Sequence, residues 1–283
     1  GIGRSTVAQL ALPALLVGVT AASGSRAVPL AEARRPEVQV PVAGIVEHLR
    51  ALQRIADRNG GNRFSGTAGY NASARYVAAR ARSAGYRVRL QEFAFPFVLD
   101  RAPPRLQVVG AAGAEYRADR DFVTLGFSGS GRVEGRVVPV DLLVPSPSPN
   151  ASTSGCEASD FATFPRGAIA LLQRGNCTFR AKVANAVQAG ASAVIVFNEG
   201  NPGGNEPVSA TLGPPPVSVP ALSASFALGE ALRGPGVTVE LATDMIAETR
   251  RTQNVIAESR TGRPDRLVVA GAHLDSVARG PGI

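Results

Sequence analysis

Lysine clusters and tryptophan are missing from this sequence, and their absence narrows the choice of partners. Lys182 is the single lysine, tryptophan is absent, and the net charge of +8 comes almost entirely from arginine. The arginines are scattered along the chain, whereas a nucleic-acid-binding surface needs clustered positive charge with interleaved aromatic residues. We therefore expect solvated surface arginines and no nucleic acid as a partner.

Long apolar segments are also missing, so we expect no stable membrane span. The best candidate, Val7–Val19, is broken by Pro13 and Gly18, and it is shorter than the roughly 20 residues of a spanning helix. It follows Arg4 and precedes small residues, an order that is typical of a secretory signal peptide. We predict a signal peptide over residues 1–28 and export from the cell, with a buried N-terminal helix as the alternative.

Cysteine is scarce, since the chain holds only Cys156 and Cys177. An even pair in an exported protein usually forms a disulfide, which we predict here. Two reduced cysteines in the core are the alternative. Two thiolates without nearby histidines would leave a tetrahedral zinc site half empty, so metal binding by this pair is disfavoured.

The N-terminal third of the sequence indicates helix, helix, strand, which is the opening of an α/β structure. Apolar residues spaced by three and four over Pro41–Ala56 predict the first helix, with His48 off the apolar stripe as a solvated residue. Asn59-Gly60-Gly61 ends this helix, and Asn71 is the expected cap of the second. The glycine-rich loop between them lacks the spacing and preceding strand of a phosphate-binding loop.

A strand–helix–strand unit is predicted in the middle of the chain. Gly167–Gly175 and Ala191–Gly200 each contain a continuous apolar run that indicates a buried strand. Phe179–Gly190 between them has the spacing of a helix with one apolar face. The connections are short, so the three segments predict a βαβ unit.

Two more strands are predicted near the end of the sequence, over Thr252–Ser259 and Arg266–Asp275. Chain ends within a domain often lie close together, so one domain can be inserted into another. We therefore predict a larger α/β domain over residues 37–126 and 245–283. A β-rich domain over residues 127–244 interrupts it.

His273 and Asp275 follow the apolar stretch Leu267–Ala270. In open α/β sheets, sites form just beyond the carboxyl ends of strands. Residues two apart in an extended chain project to the same side. One imidazole nitrogen could then bind a metal while the carboxylate accepts the proton on the other. A hydrogen-bonded core histidine is the alternative that these three letters leave open.

The surrounding sequence, VVAGAHLDSVARGPGI, resembles the first metal-ligand motif of the secreted bacterial di-zinc aminopeptidases, metallopeptidase family 28. In that family a hydrophobic strand is followed by Gly-Ala-His-Leu-Asp-Ser-Val and a glycine-rich stretch. Residues 48–95 resemble the family's N-terminal helices. The segments GCEASDF, GAIALLQRGNCTFRAKVANAVQAGASAVIVFNEG and PVSVPALSAS resemble the protease-associated (PA) domain that is often inserted in this family.

The resemblance implies a mixed zinc-peptidase sheet with flanking helices, two zinc ions, His273 as a zinc ligand and Asp275 as the carboxylate behind it. Family members also need a bridging aspartate, a glutamate base with a neighbouring glutamate ligand, a further aspartate and a second histidine, all downstream of the motif. His48 matches none of these ligands. The sequence stops at Ile283, so we expect a fragment with an incomplete active site and no activity of its own.

The implied function is zinc-dependent removal of N-terminal residues from peptides or proteins. A carboxypeptidase or glutaminyl cyclase of the same family is the first alternative. A non-catalytic binding module carried by the PA domain is the second. The PA segment holds no histidine and its acidic residues are scattered, so we expect it to shape access to the active site rather than to do chemistry.

Overall fold

The computed structural model describes residues 40–110, 116–263 and 265–283, so the predicted signal peptide at 1–28 lies outside the described residues. The chain divides into two compact units, Gly1–His48 and Leu49–Ile283. Of the first unit, residues 40–48 are described, and they form the start of the first helix. Within the three described ranges, no helix combines the length and apolar character that a membrane crossing requires.

Two helices open the described chain, α1 (Val42–Asp57) and α2 (Ala68–Ser83). The first agrees with the predicted span, and it is followed by Gly60 and Gly61 with φ of +75° and +79°. For the second helix, the predicted N-cap, Asn71, is wrong. Its N-cap is Thr67, whose side-chain oxygen accepts a hydrogen bond from a backbone N–H in the first turn, and Asn71 lies inside the helix. The helix begins one turn earlier than expected because Thr67 can satisfy that donor.

Seven strands form one sheet in the order β1-β7-β3-β4-β5-β6-β2. The pairs β3–β4, β4–β5 and β5–β6 are parallel. The pairs β1–β7, β3–β7 and β2–β6 are antiparallel. The strand bounds are β1 Arg87–Val108, β2 Phe122–Thr124, β3 Gly131–Pro139, β4 Ile169–Gln173, β5 Ala193–Phe197, β6 Ala221–Ala224 and β7 Thr238–Glu258. The α/β class is therefore confirmed.

The core lies on both faces of the parallel strands. The predicted βαβ unit is present as β4, α3 (Phe179–Gln188) and β5, with β4 and β5 parallel. Alternate residues of these strands belong to two apolar clusters, which also contain residues of α3 on one side and of α4 (Phe226–Leu232) on the other. Because helices cover both faces, the strands are apolar throughout rather than alternating. The described residues also include a short 3₁₀ helix, Ala158–Phe161.

Strands β1 and β7 form a long antiparallel ribbon, and β3 pairs with the first part of β7. Strand β7 runs without a break across the predicted domain limit at residue 244 and contains the predicted strand at Thr252–Ser259 up to Glu258. One sheet therefore connects the ribbon with the parallel strands. The limits 127 and 244 themselves remain a prediction.

The strand predicted at Leu267–Ala270 is wrong, because residues 267–275 have no strand structure. Leu267, Val268 and Val269 are 78%, 97% and 89% exposed. The apolar pattern is that of a central strand, but such a strand needs hydrogen-bonding neighbours. Among the strands of the described ranges, none pairs with this segment. Without a ladder, the backbone groups are left to solvent and the pattern alone does not make a strand.

The predicted disulfide is present. Cys156 and Cys177 are bonded, with their Cα atoms 5.8 Å apart and a separation of 21 positions in sequence. Lys182 of α3 lies beneath them, fully buried, and its ammonium group donates to the carbonyl oxygen of Ser154 at 2.5 Å. Burial of this amine lowers its pKa to about 8, against the opposing pull of nearby carboxylates.

Candidate metal-ligand site

His273 and Asp275 form a hydrogen-bonded pair. The distance between His273 Nδ1 and Asp275 Oδ1 is 3.2 Å. The histidine side chain is 88% exposed, while that of the aspartate is 33% exposed. A carboxylate can accept only from a protonated Nδ1, so this contact favours the tautomer whose Nε2 carries a free lone pair. Nε2 is then the ring nitrogen that is suited to binding a metal.

The aspartate of this pair is held in turn from the loop between α1 and α2. Ser65 Oγ donates to Asp275 Oδ2 at 2.9 Å, so both carboxylate oxygens have a partner. The backbone of Arg63 pairs with the next residue, Ser276, in both directions. The N–H of Arg63 donates to Ser276 Oγ at 2.8 Å, and the N–H of Ser276 donates to the carbonyl oxygen of Arg63 at 3.2 Å.

The Arg63 side chain reaches further along the same segment. It is only 3% exposed. Its guanidinium donates to the carbonyl oxygens of Leu274 at 2.5 Å, Pro281 at 3.0 Å and Gly282 at 3.4 Å. One buried cation therefore ties together the two ends of residues 274–282. Burial lowers the pKa of Arg63, and the Asp275 carboxylate opposes that effect.

The loop that carries Arg63 and Ser65 is fixed by close packing on its own side. The Phe64 ring lies 5.5 Å from the ring of Phe97. The hydroxyl of Thr67 donates to the carbonyl oxygen of Phe64 at 2.6 Å. A Cβ at Gly69 would lie 2.1 Å from the carbonyl oxygen of Asn62, so only glycine allows α2 to pass this close.

Tyr70 links the start of α2 to strand β7. Its hydroxyl donates to the carbonyl oxygen of Gln253 at 2.6 Å. Burial, together with the negative charge of Asp275, raises the pKa of this phenol. The phenol therefore stays protonated and keeps donating at any physiological pH.

A cleft of about 650 Å³ lies beside the same segment. Its lining includes Asp100, Asp119, Glu206 and Arg279. Arg279 forms ion pairs with Asp100, at 3.6 Å, and with Asp119. Burial is the largest effect on the Asp100 carboxyl and raises its pKa. The segment after the His–Asp pair is thus tied to β1 and to the turn before β2.

The chemistry of the pair fits a zinc ligand, His273, with an orienting carboxylate, Asp275. The pair supplies only one of the ligands that a zinc site needs. A catalytic zinc ion usually has three protein ligands and a water. Within the described ranges, no three histidine, cysteine, aspartate or glutamate side chains come together to hold a metal. His48 is exposed on α1, as predicted. The resemblance likewise assigns only the first ligand to this sequence.

The fold and the site thus define a class: an α/β protein with a compact parallel-stranded domain and a His–Asp pair suited to a metal. The profile of the PA domain matches residues 133–232. This match covers β3 to β6 with α3 and α4. The disulfide and Lys182 lie within it.

Relatives that match most of this chain are named aminopeptidases. An aminopeptidase of Pseudomonas aeruginosa is 41% identical over 244 residues, which are 85% of this chain and 45% of that protein. A probable lipoprotein aminopeptidase of Mycobacterium tuberculosis is 32% identical over 255 residues, 87% of this chain and 46% of that protein. The chain therefore spans about half the length of the curated relatives it matches.

The fold is also that of a solved aminopeptidase. The structure of the enzyme from Aneurinibacillus sp. strain AM-1 matches with a TM-score of 0.63 and 24% identity, over 86% of this chain and 54% of that one. The chain therefore contains a PA domain, its curated relatives are named aminopeptidases, and its fold resembles that of a solved aminopeptidase.

The sequence pattern predicts a role for His273 and Asp275 but gives no indication of the residues that hold them. In the sequence, Arg63 and Ser65 stand in a glycine-rich loop whose spacing disfavours a phosphate-binding role and indicates no other role. A usable signal is nevertheless present, since one arginine and one phenylalanine stand in an otherwise small and polar loop between a helix-ending Asn-Gly-Gly and a helix-capping threonine. The long-range contact to residues 274–282 was not visible in that pattern.

Proposed function

We propose that this chain contributes to the active site of a zinc-dependent aminopeptidase, with His273 as a zinc ligand and Asp275 as the carboxylate that orients it. The substrates are peptides or proteins with a free N-terminus. Two zinc ions complete the proposed site. The activity is that of the whole protein, of which this chain supplies one ligand.

The hydrogen bond between His273 Nδ1 and Asp275 Oδ1 carries this proposal. It fixes the tautomer that presents Nε2 as a ligand, and the charge of the carboxylate raises the basicity of the ring. The exposure of the imidazole leaves room for a metal and for further ligands. The homology to aminopeptidases supplies the reaction class.

His273 would be one of the residues that hold zinc, which would supply an activated water and polarise the scissile carbonyl. The residues of this chain have two tasks in that chemistry. His273 presents Nε2, and Asp275 keeps the Nδ1 proton in place so that the ring does not turn. The PA segment, proposed at 127–244, shapes access for long substrates. Export from the cell through a signal peptide at 1–28 is part of the same proposal.

The test is substitution of His273 by alanine in the full product of the gene. We expect that His273→Ala lowers zinc content and reduces hydrolysis of an aminoacyl-anilide more than roughly 100-fold, since even residues behind a metal ligand cost 10–100-fold. His48→Ala is the matched control, because it removes the other histidine of this sequence from an exposed helix position. It should keep wild-type zinc content and rate.

Two other substrates separate the family's sister activities in the same assay. A peptide with a blocked N-terminus and free C-terminus reports a carboxypeptidase, and a peptide with N-terminal glutamine reports a cyclase. Preference for either would overturn the aminopeptidase assignment. Zinc binding and activity that both survive His273→Ala would show that the metal site lies elsewhere.

A further inference from the structure

The backbone on the N-terminal side of the His–Asp pair does not hold it. Residues 267–273 are outside any strand and are exposed to solvent. Burial begins only at Leu274, and the first fully buried residue is Ser276. A ligand at the end of such a segment would lose its orientation unless something else restrained it. The proposed function therefore raises a question that the sheet does not answer.

Three consecutive residues, 274, 275 and 276, are each bonded to the loop between α1 and α2. The Arg63 guanidinium holds the carbonyl oxygen of Leu274, which belongs to the residue between the two members of the pair. Ser65 Oγ holds the free carboxylate oxygen of Asp275. The backbone of Arg63 makes two hydrogen bonds to Ser276, one donated to its hydroxyl oxygen and one accepted from its N–H. These contacts join residues more than 200 positions apart in sequence.

We propose that the loop Asn62–Gly66 is a clamp, in which Arg63 and Ser65 are positioning residues that fix Asp275 and through it the metal-binding tautomer of His273. This inference rests on the proposed function only where it takes His273 as a metal ligand. The clamping of the tautomer itself stands on contacts in the chain alone. Neither residue touches the metal or the substrate in this proposal.

Geometry explains why these two residue types are needed. The guanidinium is planar and carries five N–H donors in a fixed fork, so Arg63 can serve three carbonyl oxygens at both ends of residues 274–282. A lysine offers three donors on one nitrogen and cannot span them. Ser65 donates from a short side chain, so it restrains the carboxylate without displacing it.

The clamp loop also has contacts that do not involve residues 274–282. Its loop is anchored beneath by the Phe64–Phe97 ring contact and by Thr67, on the side of α2. Arg250 of β7 adds a hydrogen bond from its guanidinium to the carbonyl oxygen of Gly66 at 3.2 Å. A change at Ser65 can therefore release Asp275 while the loop stays in place.

The readout is the tautomer of His273, measured without metal by ¹⁵N NMR of histidine-labelled protein. The 283-residue chain has two histidines, so a His48→Ala background leaves one imidazole signal. The measurement is made at pH 8, above the ordinary imidazole pKa of about 6.5. Free imidazole side chains favour a proton on Nε2. We expect the proton mainly on Nδ1 in the background protein.

Ser65→Ala should lower the Nδ1–H fraction at least two-fold, and Arg63→Lys should do the same. Ser65→Thr, which keeps the hydroxyl, should restore the background value. Ser73→Ala is the matched control, because it removes a buried hydroxyl that bonds only inside α2, to the carbonyl oxygen of Gly69. It should leave the tautomer unchanged. Circular dichroism of each variant confirms that it is folded.

The proposal is overturned if folded Ser65→Ala and Arg63→Lys proteins keep the background tautomer, or if the background protein already carries its proton on Nε2. Zinc affinity of the full gene product is the second measurement. There we expect the Ser65→Ala variant to bind zinc about 10-fold more weakly. The full gene product could hold the Nδ1–H tautomer and yet bind no zinc at His273. That result would contradict the proposed function but would support the clamp.

Discussion

Two apolar stretches of similar composition differ in structure and in burial: one is a buried strand and the other is exposed and forms no strand. Ala193–Phe197 forms strand β5, and all five of its residues are fully buried. Leu267–Ala270 forms no strand and is exposed. The first lies between β4 and β6 in a parallel ladder, with α3 and α4 on its two faces. The second has no neighbour among the described strands. Burial is a property of the neighbours as much as of the apolar residues themselves.

The same contrast separates the two functional features. Within the PA domain, the disulfide lies next to Lys182, which is fully buried. The His–Asp pair depends instead on hydrogen bonds from the loop between α1 and α2, more than 200 positions away in sequence. Four changes test this difference, and they are ordered here from the largest expected effect on stability to the smallest.

Ile195→Ala should give the largest loss. Ile195 is fully buried in the centre of β5, and removing three carbons from a closed core costs about 2–5 kcal/mol through lost burial and the cavity left behind. Urea unfolding of the 283-residue chain measures the free energy of unfolding. Ile195→Val is the control and should cost about 0.5–1.5 kcal/mol. Equal stability of all three proteins would mean that the core is not closed.

Replacing both cysteines by serine should cost about 3 kcal/mol. The bond joins residues 21 apart, and cross-linking a loop of this size lowers the entropy of the unfolded chain by about that amount. The comparison is urea unfolding of Cys156→Ser/Cys177→Ser against the wild type, with the wild type plus reductant as a second reference. A loss much below 1 kcal/mol would show that the buried contacts around Lys182 hold this region without the bond.

Sequence reasoning was most successful where local pattern and final environment agree. The βαβ unit combines continuous apolar strands with a helix of clear period, and its helices cover both faces, so the pattern was sufficient. The disulfide followed from the number of cysteines and the expected compartment. The His–Asp contact followed from the two-residue period of an extended chain.

Sequence reasoning was least successful where partners are remote. The apolar residues at 267–270 predict a strand only if neighbours exist. Arg63 appears as one of many arginines until it is seen buried against carbonyl oxygens over 200 residues away. Lys182 stands on a helix whose apolar residues were assigned inward, and nothing in the helical period shows that its amine is buried with them. Such long-range polar contacts have no local periodicity to read.

Lys182 should make the stability of the chain rise with pH above 8. Its pKa is about 8 in the folded protein, below the ordinary value of about 10.4 that it regains on unfolding. Between these values the unfolded state binds more protons, so the free energy of unfolding increases with pH. The whole effect is on the order of 2–3 kcal/mol between pH 7 and 10.5.

The measurement is urea unfolding of the wild type and of Lys182→Met between pH 7 and 10.5. The methionine protein lacks this titrating amine, so the free energy of unfolding of the wild type should rise relative to that of Lys182→Met as the pH rises from 7 to 10.5. Because Lys182 is the single lysine, its titration can also be followed by NMR of protein labelled with isotope-enriched lysine. A difference that stays constant over the whole range would contradict a lowered pKa.

Val268→Ala should have the smallest effect, and it completes the comparison. Val268 is 97% exposed, and surface substitutions away from special features stay within about 0.5 kcal/mol. The matched control is Val194→Ala, the same change in β5 at a fully buried position, where we expect a loss of roughly 2 kcal/mol. Urea unfolding of the 283-residue chain measures both. If Val268→Ala destabilised the chain as much as Val194→Ala, residues 267–270 would be packed in solution, and the contrast between the two stretches would not hold.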